Sequence, residues 1–258
     1  MAIIKKEAYF NSSTGVNKIR TLIWSDSDVQ PVAVFQIAHG VSEHIDRYDD
    51  FARFLATKGF IVCGNDHIGH GKSVNSAEDL GFTAEKDGYR RFVDDMHILY
   101  SIIHKRFPDL PYFLFGHSMG SLCARVYAST FATDLAGLII CGTAQVPSGL
   151  DFGIDALDKI VEKFGPRTVN KVAAGMLNKF SSLGISDRET DLDWLSVNKE
   201  NVQNYIDDPL CGNELSAVDS DLDIVLIARA FRKSKESSRI GGSATVDSTV
   251  VKDYFVIR

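Results

Sequence analysis

Gly116-His117-Ser118-Met119-Gly120 follows the apolar run Tyr112-Phe113-Leu114-Phe115 and precedes Leu122, Val126, Tyr127 and Phe131 at helical spacing. A serine hydroxyl attacks a carbonyl only when it is exposed, oriented and relieved of its proton, and a sharp strand-to-helix turn supplies the first two. Gly116 and Gly120 lack Cβ atoms, so the turn can take strained angles and the strand and helix can approach closely. Ser118 is therefore the candidate nucleophile. Upstream, His39-Gly40-Val41 closes another apolar run, 31–38. It can aim the Val41 backbone N–H at the same point as the Met119 N–H, giving two oxyanion donors.

The proton shuttle is harder to find, because all seven histidines lie at or before His117. The acid and base stay unassigned. His70 and His44 are the upstream imidazoles whose loop positions suit a substitute base, which must come within about 2.6–3.2 Å of the hydroxyl. His39 and His117 read as structural members of their loops, and His97 and His104 as helix-surface residues. Asp223, Asp247 and Asp253 follow the serine, but read as surface carboxylates.

Two other patterns suggest unrelated chemistry. Gly71-Lys72-Ser73 resembles the end of a phosphate-binding loop, yet Asp66 stands where that pattern requires glycine. His67 with His70, and Glu43 with His44, have no evident third ligand and do not form His-Glu-x-x-His. No nucleotide, metal or organic cofactor is expected.

With 258 residues, 45% apolar and 24% charged, the chain suits one large domain. A net charge of −6 disfavours nucleic-acid binding driven by phosphate contacts. Cys63, Cys123, Cys141 and Cys211 lack Cys-x-x-Cys spacing and read as buried free thiols. Charges at Lys5, Lys6 and Glu7 interrupt any leader-like apolar stretch, and no apolar run approaches the ~20 residues of a membrane span. A cytoplasmic location is expected.

The elements that must position Ser118 follow from the alternation of apolar runs with helical patterns, which calls for a largely parallel sheet with crossover helices. A hairpin is expected over 6–24, and strands over 31–38, 60–64 and 135–141. Tyr48, Phe51, Phe54 and Leu55 repeat at helical spacing up to Gly59. Phe92, Met96, Leu99, Ile103 and Phe107 form a longer helical stripe. From about Pro147 the strand rhythm stops, and Ile154, Leu157, Ile160 and Phe164, then Val169, Val172, Met176 and Phe180, follow amphipathic helical spacing. The expected division is an N-terminal core, 1–146, a helical cap over an apolar pocket, 147–210, and a return to the core with an atypical tail, 211–258.

The chain resembles the monoacylglycerol lipase/lysophospholipase branch of the α/β-hydrolases. The resemblance rests on the block from His39 to Tyr48, on Asp66-His67-Ile68-Gly69-His70-Gly71-Lys72-Ser73, on the elbow, and on Asp193-Trp194-Leu195-Ser196 through Cys211-Gly212. It implies a cofactor-free α/β-hydrolase fold with a helical cap and a serine nucleophile. Its substrates would be small acyl esters such as monoglycerides or lysophospholipids, reached through transient contact of the cap with a membrane surface. Thioesterases and aminopeptidases share the same elbow. In such enzymes the triad runs Ser, Asp, His along the chain, and the resemblance is expected to end near Asn213. Three accounts of the tail are open: a truncated or frame-shifted gene, a substitute upstream histidine, or a non-catalytic acyl-ligand binder.

Overall fold

Strand residues that alternate between two apolar faces bury a sheet on both sides, and neighbouring residues of this chain divide accordingly. The computed structural model describes residues 2–85, 88–131, 135–143, 159, 162–165, 167–168, 182, 184–213 and 254–257. Val34, Ile61 and Leu114 enter one core, whereas Phe35, Val62 and Phe115 enter the other. The strands are β1 (Ile3–Asn11), β2 (Lys18–Asp26), β3 (Ala33–Ala38), β4 (Phe60–Asn65), β5 (Tyr112–His117), β6 (Leu135–Cys141) and β7 (Tyr254–Ile257). They form one seven-stranded sheet in the order β1-β2-β4-β3-β5-β6-β7.

The centre of the sheet is parallel, with β3 between β4 and β5, and β6 beyond β5. The β1–β2 hairpin adds to β4 antiparallel, and β7 pairs antiparallel with β6. Three helices connect the central strands: α1 (Asp49–Ala56), α2 (Gly88–Arg106) and α3 (Met119–Phe131). The α2 stripe packs as its spacing implies, with Phe92, Met96, Leu99 and Ile103 joining Leu122, Val126 and Tyr127 of α3 in one core. Under α1 the second core gathers Leu22, Trp24, Phe35, Ile37, Ile45, Ala52 and Ala56.

The α1 pattern is only partly inward. Ala52 and Ala56 are its buried positions, while Phe51 and Phe54 are 39% and 57% exposed, because small residues let α1 lie close to the sheet. Helix α4 (Lys199–Asp207) begins at Asn198, whose side chain accepts the Glu200 N–H as an N-cap. The expected cap stripes over 154–164 and 169–180 lie outside the described residues, apart from a few isolated positions. So do Asp223, Asp247 and Asp253. No helix among the described residues is long and apolar enough to cross a membrane.

Because β3, β4 and β5 run parallel, the loops that leave them emerge along one sheet edge. They carry His39, Asp66 and Ser118 respectively, at the carboxyl ends of the strands where open α/β sheets bind ligands.

Candidate active site

Ser118 sits between β5 and α3 with φ +51°, a left-handed conformation that L side chains rarely adopt. Its N–H donates to Cys141 O at 2.9 Å, and its carbonyl accepts the N–H groups of Ser121 at 2.9 Å and Leu122 at 3.3 Å. The Ser121 hydroxyl donates to the same carbonyl at 2.5 Å. The turn is thus fixed from β6 on one side and from the first turn of α3 on the other. Its flanking glycines are steric necessities: a Cβ on Gly116 would lie 2.4 Å from Gly120 O, and one on Gly120 only 2.2 Å from Ala38 O.

The His39-Gly40-Val41 loop lies directly against this turn, since a Cβ on Gly40 would stand 3.3 Å from Ser118 Cβ. Met119 is buried and Val41 partly so, both packed into the same core. Among the described residues, neither the Val41 nor the Met119 N–H donates a hydrogen bond. The two N–H groups singled out by sequence are thus uncommitted among the described residues, one on the β3 loop and one at the start of α3. Ser118 itself is partly exposed.

Buried Glu43 joins the two loops, a role its position in the sequence does not announce. Its Oε1 accepts the Gly40 N–H at 2.6 Å and the Tyr48 hydroxyl at 2.8 Å, and lies 3.2 Å from His117 Nδ1. Its Oε2 accepts Arg47 Nε at 3.0 Å. Burial alone would raise this carboxyl, but the hydrogen bond and charge of His117, with His39 and Tyr48, outweigh it and hold it down at about 2. The carboxylate is thus an ionised strut between the loop and the elbow.

His39 is fully buried. Its Nδ1 lies 2.7 Å from Gly40 O, and its Nε2 accepts the His67 N–H at 2.8 Å. That pairing requires a neutral ring protonated on Nδ1. Burial, reinforced by neighbouring His70, pushes its pKa down to about 4. Asp66 fills the hollow of the phosphate-loop look-alike: its carboxylate accepts the N–H groups of Ile45 and Lys72, each at 2.9 Å, and would sit 2.5 Å from a Cβ on Gly71.

The loop is braced from behind by 205–213. Ser42, the second non-glycine residue at positive φ, offers its carbonyl to the Tyr205 hydroxyl and the Gly212 N–H, both at 2.9 Å. Its hydroxyl donates to Asn213 O at 3.1 Å. His44 Nε2 pairs with Asp208 Oδ2 at 2.7 Å. The sequence reading singled out the 205–212 block but not its bracing role, which only the fold brings together.

No imidazole hydrogen-bonds the Ser118 hydroxyl among the described residues. His44 is engaged with Asp208, and His70 Nδ1 lies 3.2 Å from Ile68 O. His97 departs from the surface role expected of it: its ring stacks on Phe131 at 3.9 Å and 6°, and its Nδ1 lies 3.1 Å from Tyr127 Oη. The four cysteines are free, but Cys141, the last residue of β6, and Cys211, in the turn after α4, are only partly buried.

Residues 29–237 match the Hydrolase_4 family, described as serine aminopeptidase, S33. The match continues past Asn213 to residue 237, which corrects the expectation that resemblance stops there. The monoglyceride lipase of Rattus norvegicus is 30% identical over 187 residues, covering 72% of this chain and 54% of that protein. The monoacylglycerol lipase of Mycolicibacterium smegmatis is 28% identical over 203 residues, covering 78% and 64%. This chain thus spans little more than half the length of these relatives. A thermostable carboxyl esterase from Bacillus coagulans, solved in complex with glycerol, superposes with a TM-score of 0.79 at 30% identity, covering 88% of this chain and 73% of the esterase. The parallel sheet, the elbow at its carboxyl edge and the match over most of its length make this chain a member of the Hydrolase_4 family of α/β-hydrolases, similar to monoglyceride lipases.

Proposed function

We propose that the protein is a carboxylic ester hydrolase of monoacylglycerol-class substrates, with Ser118 as nucleophile and the Val41 and Met119 N–H groups as oxyanion donors. The observation that carries this reading is the left-handed Ser118 turn packed against the Gly40 loop, with both N–H groups uncommitted among the described residues. In the first step the Ser118 oxygen bonds to the acyl carbon. The alkoxide leaves with the serine's proton, and water then releases the fatty acid and restores the hydroxyl. The two donors meet the negative charge that develops on the carbonyl oxygen, and losing one typically lowers kcat about 10²–10³-fold.

The substrate class rests on the names of the relatives and on the glycerol bound by the similar esterase. A helical cap over 147–210 would enclose the acyl chain and approach a lipid surface transiently. The test is release of fatty acid from a monoglyceride and of chromophore from a short-chain ester, beside Ser118→Ala. Turnover by the native chain that falls at least ~10³-fold in the variant supports the reading. Turnover unchanged by the variant contradicts it.

A second reading is favoured by the lack of an imidazole at the Ser118 hydroxyl among the described residues: a binder that retains an acyl ligand without cleaving it. Stoichiometric retention of a monoglyceride by folded protein that releases no fatty acid selects this alternative.

A further inference from the structure

We propose that His44, Asp208 and Cys211 form a binding site for a divalent transition-metal ion of the zinc class. One ligand atom from each residue, an imidazole nitrogen, a carboxylate oxygen and a thiol sulfur, lies within 4.8 Å of the other two. His44 is buried, while Asp208 is partly exposed and leaves the ion a path of entry. The donor set combines nitrogen, oxygen and sulfur, which suits a borderline-soft ion such as zinc and not magnesium or calcium.

The local backbone assembles the three groups. Asp208-Pro209-Leu210-Cys211 is a turn closed by the Cys211 N–H on Asp208 O at 2.9 Å, bringing the carboxylate and thiol to one side. Asp208 Oδ1 is held by the Leu210 N–H at 2.9 Å, leaving Oδ2 to face His44 at 2.7 Å. Tetrahedral zinc separates its nitrogen, oxygen and sulfur ligands by about 3.3–3.6 Å. An ion therefore needs only a slight parting of His44 and Asp208 and a rotation of the Cys211 side chain. It replaces the His44 Nε2 proton and the thiol proton, both of which leave to solvent.

A second carboxylate lies near the imidazole, beyond hydrogen-bond reach. Asp46 Oδ2 lies 3.7 Å from the other imidazole nitrogen, Nδ1, and Asp46 is itself fixed by Arg20 at 2.6 Å and Lys5 at 2.8 Å. At that separation it makes no hydrogen bond to the ring and contributes only a negative charge beside the site. Sequence spacing hides the site, because His44 and its partner Asp208 are 164 residues apart. The expectation of no metal site rested on the lack of a third ligand near His44, and the 205–213 segment supplies both others.

The test uses the full chain, stripped with chelator and titrated with cobalt(II), followed by zinc(II) competition. The expected result is one cobalt per chain, with a near-ultraviolet thiolate-to-cobalt absorption that zinc abolishes. Cys211→Ser removes that absorption, and His44→Gln and Asp208→Asn each weaken binding at least ~10-fold. Far-ultraviolet circular dichroism identifies the folded variants. Absence of saturable binding overturns the proposal. So does a thiolate band that persists in folded Cys211→Ser, or binding unchanged in folded Asp208→Asn.

Discussion

Glu43 Oε1 lies 3.2 Å from His117 Nδ1 while accepting the Gly40 N–H at 2.6 Å, so a single carboxylate oxygen joins the β3 loop to the Ser118 turn. Glu43→Ala leaves the Gly40 N–H, the Tyr48 hydroxyl and Arg47 without their acceptor. Breaking a buried charged pair in this way lowers stability by about 3–5 kcal/mol. Glu43→Gln keeps one acceptor oxygen, and its loss is expected to be smaller. Chemical denaturation of the two variants beside the native chain checks both the sign and the order.

The strain at Ser118 makes a second prediction. A non-glycine residue at φ +51° is destabilising by about 1 kcal/mol or more, which glycine relieves. Ser118→Gly is expected to raise the unfolding free energy while eliminating ester cleavage, whereas Ser118→Ala eliminates cleavage with little gain in stability. Paired denaturation curves distinguish the two; a destabilised Ser118→Gly variant would count against stored strain.

Gly120 and Gly15 provide a contrast of mechanism. A Cβ on Gly120 meets the Ala38 and His39 carbonyl oxygens at 2.2 and 2.5 Å, and neither backbone atom can swing aside. Gly120→Ala is expected to destabilise by at least ~3 kcal/mol or to prevent folding. Gly15, at φ +78° in the β1–β2 turn, has nothing within 4 Å of that position. Gly15→Ala therefore meets only the backbone penalty, about 1 kcal/mol. Thermal unfolding of both variants measures the difference.

His39 gives the fold an acid-sensitive element. Its pKa is near 4 when folded and 6.5 ordinarily, so as pH falls the unfolded chain takes up this proton first. The contribution of neutral His39 is intact above about pH 6.5 and declines toward pH 4, by a total of about 3 kcal/mol. Denaturation across this window is expected to show the decline, and His39→Asn to flatten part of it. Equal slopes in the native chain and the variant would contradict the assignment.

Local chemistry made part of this architecture legible. The elbow needs glycine at two close approaches, the central strands are continuous apolar runs, and the α2 stripe repeats at helical spacing. Those signals depend on residues near one another in the chain, and they located the strand at 135–141 to the residue. The spacing of Phe51 and Phe54 placed them on one helix but not their 39% and 57% exposure, because helical spacing identifies an apolar face without saying how deeply it packs. Glu43 and the His44–Asp208 pair were not legible, because their partners are supplied by tertiary contact. His97 likewise gains its stacking partner from α3, a separate helix.

The most direct measurement is mass spectrometry of the intact protein and its peptides after exposure to a fluorophosphonate, which forms a serine oxygen–phosphorus bond with loss of fluoride. The account predicts one adduct per chain, mapped to Ser118, slowed by prior incubation with a monoglyceride and absent from folded Ser118→Ala. An adduct on another residue, or none on folded native protein, would contradict Ser118 as the nucleophile.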